Sequence, residues 1–349
     1  MKVGIVGSTG LVGQQFIRLL SRHPYFEISE LVASEESANK PYEDAVENKI
    51  RRIPEKVRKK SVSAIDDELD CRVIFSALPS KVAREAERDL VERGHIVLTN
   101  ASAHRMESHV PLVIPEVNPD HIGLIEELDR EDGEGFIVAN PNCSVIQLAI
   151  ALKPIHEKFG IKKIDVVTLQ ALSGAGYDGV GALEAADNVI PYIPNEEEKI
   201  KEEIPKLFGE LNGGEINREK FRISSSCNRV NISDGHLENV SIELEEETST
   251  SEVKKALEEF RGLPQDLPSS PETPIKFSEE KDRPQPRVDL GGDTPMSVHV
   301  GRLREDNILD YKFIVLGHNT IRGAAGASIL NAELLYSKGL VQDQKVVSG

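Results

Sequence analysis

The sequence has no tryptophan, only three methionines and only three cysteines in 349 residues, and aromatic side chains make up just 5% of it. Cys71, Cys143 and Cys227 are odd in number and none belongs to a C-x-x-C pair. A disulfide framework or a zinc cluster is therefore not expected, and no metal is assigned. Long apolar runs are also missing: none approaches the roughly 18 to 20 residues of a membrane span, so no membrane partner is expected. Basic residues are scarce, 42 against 59 acidic ones, for a formal charge of −17. That balance argues against nucleic acid as a partner, and an anionic substrate would have to be held by a few well-placed cations. The chain opens Met1-Lys2-Val3-Gly4-Ile5-Val6, which enters a strand pattern at once, leaves no room for a signal peptide and predicts a cytoplasmic protein.

What is present is more telling. Asn140-Pro141-Asn142-Cys143-Ser144 lies between the apolar run Phe136–Ala139 and the periodic segment Val145–Leu152. This reads as strand, tight turn and helix, with Cys143 at or just before the first helical turn. Free helix N–H groups and the positive end of the dipole favour a thiolate there, and a thiolate at the mouth of a sheet is a nucleophile. Cys71 and Cys227 read more simply as packing residues.

The chain is long enough for two domains with real cores. Lys2–Val6 is a short strand, followed by Gly7-Ser8-Thr9-Gly10-Leu11-Val12-Gly13 and a helical pattern through Leu20. Such a G-x-x-G-x-x-G turn at the first strand suits a pyrophosphate on a helix N-terminus; a glycine-rich turn without ligand has the same spacing. Further strands are predicted at Glu27–Ala33, Val73–Ala77 and Ile96–Thr99, with a helix near Val82–Arg93. The alternation predicts an α/β fold with an N-terminal doubly wound, Rossmann-type dinucleotide domain.

Beyond Cys143 the pattern changes. Ile164–Leu169, Asn239–Leu244, Ser297–Leu303 and Tyr311–Leu316 predict a mixed or antiparallel sheet, with acidic helices at Glu196–Phe208 and Ser251–Phe260. Residues 262–294, rich in Pro, Asp and Gly, read as a long loop. The last helix, about Ala324–Ser337, is expected to pack back on the first domain. The division is then 1–142 plus about 324–349 for the dinucleotide domain, and 143–323 for an α+β catalytic and dimerisation domain.

Cys143 needs a proton relay and a holder for a developing oxyanion. His236, in Asp234-Gly235-His236 before a strand, suits proton transfer. Gln170 ends a strand and opens the flexible loop Ala171–Gly176. Arg229 lies seven residues before His236, so an extended segment would put the two on opposite faces, whereas a bend at Asp234-Gly235 would bring both to one pocket. Among nine histidines and many surface arginines, spacing alone does not join these residues. The residues by themselves point to a dinucleotide-dependent enzyme with a thiol nucleophile, working at the aldehyde–acyl level through a thioester.

The motifs resemble the aspartate-semialdehyde dehydrogenase family, and most of all its archaeal and fungal branch, which also contains a malonyl-CoA reductase. The resemblance runs nearly end to end. It covers Gly7–Gly13, Ser76-Ala77-Leu78-Pro79-Ser80, Val110–Asn118, Asn140-Pro141-Asn142-Cys143, Leu169–Tyr177, Asp234-Gly235-His236 and Arg322-Gly323-Ala324-Ala325-Gly326. It implies NADPH-dependent reductive dephosphorylation of L-aspartyl-4-phosphate to L-aspartate 4-semialdehyde, in amino-acid biosynthesis leading to lysine, threonine and methionine. On this reading Cys143 forms the thioester, His236 is the acid/base, Gln170 orients the acyl group, and Asn142 with the Cys143 N–H holds the oxyanion. Arg229 takes the substrate α-carboxylate, Arg105 and Lys199 the phosphate, and Glu196 the ammonium, with a one-residue slip open in Glu196-Glu197-Glu198-Lys199. The cofactor set is Gly7, Ser8, Thr9, Gly10, Leu11, Val12, Ser34, Ser37, Lys40, Ser76, Leu78, Asn100, Ser173, Gly174, Gly176 and Asn319.

One departure concerns the cofactor. The family often has Ser-x-Arg-Ser after the second strand; here it is Ser34-Glu35-Glu36-Ser37. Glu36 repels a 2′-phosphate, so NADP is expected with NAD or dual use open. The competing functions are a malonyl-CoA or other acyl-CoA reductase on the same scaffold, the cousin N-acetyl-glutamyl-phosphate reductase, and a non-catalytic dinucleotide sensor. The family resemblance further implies a homodimer or homotetramer.

Overall fold

The computed structural model describes residues 1–342 apart from 48, 50, 51, 128–133, 178, 263–265 and 292–294. Five short strands build the first sheet: β1 (Lys2–Val6), β2 (Glu27–Val32), β3 (Val73–Ser76), β4 (Ile96–Thr99) and β5 (Phe136–Ala139). All four pairings are parallel, in the order β2-β1-β3-β4-β5. β1, β3, β4 and β5 are short apolar runs because both faces are covered, as a parallel sheet requires, whereas the edge strand β2 keeps Glu27, Ser29 and Glu30 at exposed or half-buried positions. The chain order reverses between β1 and β3, so the crevice at the carboxyl ends of those two strands is the expected ligand position.

The second sheet holds β6 (Ile161–Gln170), β7 (Val189–Ile190), β10 (Arg222–Val230), β11 (His236–Leu244), β12 (Ile275–Ser278), β13 (Val298–Glu305) and β14 (Tyr311–Gly317). Its order is β12-β13-β14-β11-β6-β10-β7, mixed in direction. A separate hairpin pairs β8 (Glu210–Asn212) with β9 (Glu215–Asn217). The segment expected as a plain loop, 262–294, instead contains β12 and the helical turn Pro286–Asp289. Ile275 is buried, and pairing with β13 satisfies the strand's backbone.

The helix Cys143–Phe159 is buried along almost its whole length. It packs on β11, β14, β13 and β6 and on the helices Glu196–Leu207 and Thr250–Glu259. A helix that is apolar all round is one enclosed on all sides. After β14 a π-helical turn, Ile321–Ala325, leads into the last helix, Gly326–Ser337, which lies against β4 and the helix Leu11–Leu20 of the first sheet. Arg322 anchors this turn: fully buried, it forms a two-pronged pair with Glu116 at 2.7 and 2.8 Å. No helix among the described residues is long and apolar enough to cross a membrane.

Candidate active site

A cavity of about 550 Å³ opens between the carboxyl edge of the first sheet and the helix and loops of the second. Cys143, Asn142, Gln170, Arg229, Arg105, Glu196, Lys199, Val12, Asn100, Ser173, Gly174 and Asn319, all expected from the sequence, line it. His236 lies beneath the sulfur, fully buried, with Nε2 3.2 Å from Cys143 Sγ.

Three strands place the polar cluster. Gln170 closes β6; Arg229, near the end of β10, pairs with it in register; His236 is the first residue of β11, on the other side of β6, rather than a residue before it. The sequence offset of seven is thus irrelevant to facing. The chain turns between the two strands through Gly235, at φ 97°, and both side chains arrive at Gly174, where an added Cβ would lie 2.8 Å from Arg229 Nη1 and 3.0 Å from His236 Cε1. Arg229 also donates to Ala171 O at 2.7 Å.

Cys143 is the first residue of its helix, but the expected thiolate is not what this setting favours. Burial pushes the thiol up to about 12, and Glu196 adds to the rise, against the lowering influence of Arg105, Lys199 and Arg229. The helix end contributes less than expected because Asn142 caps it, Oδ1 accepting from the Ser144 and Val145 N–H groups at 2.9 and 3.3 Å. Asn142 corrects a second expectation. Its Nδ2 donates to both Glu196 oxygens, at 3.0 and 2.9 Å, so this amide is engaged and does not stand ready as an oxyanion donor.

Burial, reinforced by Arg229, pushes His236 down to about 3, so the ring is neutral. The Ala171 N–H donates to Nδ1 at 3.1 Å, which puts the ring proton on Nε2, facing the sulfur. As arranged, His236 donates to Cys143. It can accept the thiol proton only when the Ala171 N–H releases Nδ1.

Glu196 is the centre of the polar wall. Besides Asn142 it accepts from Gln170 Nε2 at 3.1 Å and from Lys199 Nζ at 2.6 Å. Burial alone would push its carboxyl up; Lys199, Gln170 and Asn142 outweigh that and hold it below the usual range. No slip in the Glu196/Lys199 register is needed, since positions i and i+3 of this helix already meet.

The residues expected to hold the cofactor fall into two groups. Gly7 to Gly10 form the turn after β1, where Gly7 at φ 74° takes a left-handed conformation that a side chain resists, and Leu11 and Val12 open the helix that follows. The helix Leu11–Leu20 has neither a side-chain cap nor an acidic residue in its first turn, which leaves an N-terminus fit for a pyrophosphate. Ser34, Ser37 and Lys40 sit in the turn after β2; Leu78 follows β3; Gly176 ends the loop after β6. Asn319, after β14, ties the loop after β6 to the turn before β11, donating to Ser173 Oγ and accepting from the Gly235 N–H, each at 2.8 Å. Ser76 departs from expectation. Its side chain is fully buried and donates to Glu87 at 2.6 Å.

Sequence reasoning missed Ser80, Ser102, Tyr192, Thr320 and Gly323, which also line the cavity, and Glu203 beneath it. Glu203 carried a readable signal, being seven residues beyond Glu196 on one helix face, and Ser80 and Gly323 fall inside motifs that carry the family resemblance; Ser102, Tyr192 and Thr320 carried none.

Fold and site together define a dinucleotide-binding oxidoreductase with a cysteine lining its central cavity. Residues 2–125 match the semialdehyde dehydrogenase NAD-binding domain, and residues 152–322 the semialdehyde dehydrogenase dimerisation domain. An aspartate-semialdehyde dehydrogenase of Archaeoglobus fulgidus is 48% identical over 97% of this chain and 99% of its own. The crystal structure of aspartate semialdehyde dehydrogenase with NADP from Candida albicans superposes with a TM-score of 0.90 at 40% identity, covering 97% of this chain and 99% of that one. A malonyl-CoA reductase (NADP) of Metallosphaera sedula is 37% identical over 98% of both chains. The chain belongs to the semialdehyde dehydrogenase family.

Proposed function

We propose that this chain is an NADP-dependent aspartate-semialdehyde dehydrogenase, converting L-aspartyl-4-phosphate to L-aspartate 4-semialdehyde and phosphate. The observation that carries the reading is the cluster of both charge signs around one sulfur: Arg105, Lys199 and Arg229 with the anionic Glu196, all lining one cavity with Cys143. A substrate with a phosphate, a carboxylate and an ammonium matches that set. A coenzyme A thioester of malonate has no ammonium for Glu196, and the greater identity to the aspartate-semialdehyde dehydrogenases agrees.

In this reading Arg105 and Lys199 take the phosphate, Arg229 forks the α-carboxylate and Glu196 meets the ammonium, exchanging the contact it now makes with Lys199. Cys143 attacks the acyl carbon. The C–O bond to phosphate breaks, the thioester forms, and the departing phosphate takes up the proton that the sulfur loses. His236 Nε2–H supports the sulfur as it gains negative charge. Bound NADPH supplies the hydride to the thioester carbonyl carbon, and the uncapped helix after Gly7–Gly10 is where its pyrophosphate fits. The Cys143 backbone N–H holds the resulting oxyanion; one such donor is worth ~3 kcal/mol. Collapse of that oxyanion expels the sulfur as a thiolate, which takes the proton of His236 Nε2–H; the ring regains a proton from solvent when the aldehyde leaves. Asn142 and Gln170 act through Glu196, which they hold in place.

Residues 1–142 with 324–349 serve as the nucleotide-binding part and 143–323 as the catalytic part. Assembly as a homodimer or homotetramer rests on the dimerisation-domain match. A cytoplasmic site of action suits three free cysteines, one of them reactive. The test is a matrix of aspartate semialdehyde with phosphate, and of malonyl-CoA, each with NADP(H) and NAD(H). Phosphate-dependent NADP reduction by the semialdehyde is expected; faster turnover of malonyl-CoA would reverse the assignment.

A further inference from the structure

The helix Glu196–Leu207 presents Glu196, Lys199, Glu203 and Lys206 at intervals of three, four and three residues, which is one face. Glu196 and Lys199 line the cavity; Glu203 and Lys206 lie deeper and are almost fully buried. Glu203 Oε1 accepts from Arg105 Nη1 at 2.9 Å, and its Oε2 accepts from the backbone N–H of Asn142 at 2.7 Å. One carboxylate thereby ties Arg105, 98 residues away in sequence, to the turn that carries Cys143. Arg105 Nη2 is fixed as well, donating to Asn100 O at 2.7 Å, whereas its Nε is buried without an acceptor. Lys206 holds the same segment by its backbone: Nζ donates to Arg105 O, Glu107 O and Val110 O at 2.7, 2.9 and 2.9 Å.

We propose that Glu203 is the positioning residue of the anion site, aiming the Arg105 guanidinium and setting its distance from Cys143, with Lys206 fixing the Arg105 backbone. The inference rests on the reading that Arg105 receives the substrate phosphate. A guanidinium with five N–H donors on a flexible stem loses rotamer freedom when it binds, and two fixed acceptors remove that loss beforehand. Two of the five N–H donors are held in this way, and Nε–H with the second hydrogens of Nη1 and Nη2 is left for an anion. Glu203 also makes the coupling rigid: Arg105 and the cysteine turn hang on the two oxygens of a single side chain, so they cannot drift apart independently.

The test uses the full chain in the oxidative direction, with aspartate semialdehyde and NADP held saturating while inorganic phosphate is varied. Glu203→Gln keeps an oxygen for the Asn142 N–H but withdraws the charge from Arg105. It is expected to raise the KM for phosphate at least tenfold, leave kcat within about threefold and leave the KM for NADP unchanged. In an Arg105→Met background the same substitution is expected to add nothing. Glu203→Asp, which keeps the charge on a shorter stem, is expected to recover part of the phosphate response. A purely structural role would lower the active fraction or the melting temperature and leave the phosphate KM alone, and that result overturns the inference. So does an undiminished effect in the Arg105→Met background, or the failure of both Glu203→Gln and Glu203→Asp to fold. If the wild-type chain itself shows no phosphate-dependent NADP reduction, the functional reading falls and takes the inference with it.

Discussion

Gly323 lies directly against Cys143: a Cβ added to Gly323 would stand 2.7 Å from the Cys143 Cβ and 3.0 Å from its Cα. Neither side has room to yield. Cys143 opens a helix that is buried along most of its length, and the π-helical turn carrying Gly323 is anchored through Arg322 to Glu116. Gly323→Ala therefore has to displace the cysteine, and with it the 3.2 Å contact to His236. Overpacking of this kind costs roughly 1–3 kcal/mol of stability. The expected result is a kcat at least tenfold lower at unchanged cofactor affinity, together with a lower urea midpoint. Gly181→Ala, where an added Cβ meets nothing, serves as the neutral control. Wild-type kcat in Gly323→Ala would show that the sulfur's position is not set by this contact.

The state of the thiol gives a second prediction. With Cys143 pushed up to about 12 by burial and Glu196, and His236 pushed down to about 3, the ligand-free pair is a thiol beside a neutral ring. Alkylation of Cys143 by iodoacetamide should thus climb steadily with pH from 6 to 10, because only the thiolate reacts. Glu196→Gln removes a neighbouring negative charge, lowers the thiol's pKa and should speed alkylation at pH 8 several-fold. A rate already level between pH 6 and 8 in the wild type would mean a preformed thiolate–imidazolium pair and would contradict this account.

Much of this could be read from the chain before any coordinates. Four strands of the first sheet, β1, β3, β4 and β5, are short apolar runs bounded by turn residues, so each announces itself locally. Strand β10 does not. Arg222-Ile223-Ser224-Ser225-Ser226-Cys227-Asn228-Arg229-Val230 has little apolar alternation, because its inward positions are filled by Ser225, Cys227 and Arg229. Its strand character comes from parallel pairing with β6, a distant partner. That is why Arg229 and His236 were compared along one imagined strand although they sit on two. The thiol shows the same limit. A helix start is visible in sequence and argues for ionisation; burial and a carboxylate 53 residues away are not, and they decide the matter.

Cofactor preference turns on Glu36. It is exposed in the tight turn after β2, where Ser37 and Ala38 N–H groups close on Ser34 O at 2.9 and 3.1 Å. This is the position that meets the adenosine ribose in a doubly wound fold. Glu36→Arg should exchange a repulsive carboxylate for a two-pronged phosphate ligand, raising the NADP-to-NAD ratio of kcat/KM roughly tenfold, or about 1.4 kcal/mol. Steady-state kinetics with both nucleotides reads this directly. An unchanged ratio would place the 2′-phosphate elsewhere, with Ser34, Ser37 and Lys40 no longer its natural neighbours.

Stability against acid follows from His236. In the unfolded chain the ring takes a proton near pH 6.5; in the fold, burial and Arg229 hold it neutral down to about 3. Between those values the unfolded state binds more protons, so stability falls as the pH drops through that window. Replacing the ring by an amide removes this contribution. The urea midpoint of His236→Gln should therefore decline less steeply than that of the wild type between pH 6.5 and 4.5. Glu196, whose carboxyl is held below its ordinary range, acts mainly beneath that interval and leaves the comparison clear. Parallel curves for the two proteins from pH 6.5 to 4.5 would mean that His236 is protonated in the fold. A charged ring beside Cys143 would then stabilise the thiolate, and the neutral pair described above could not be the resting state.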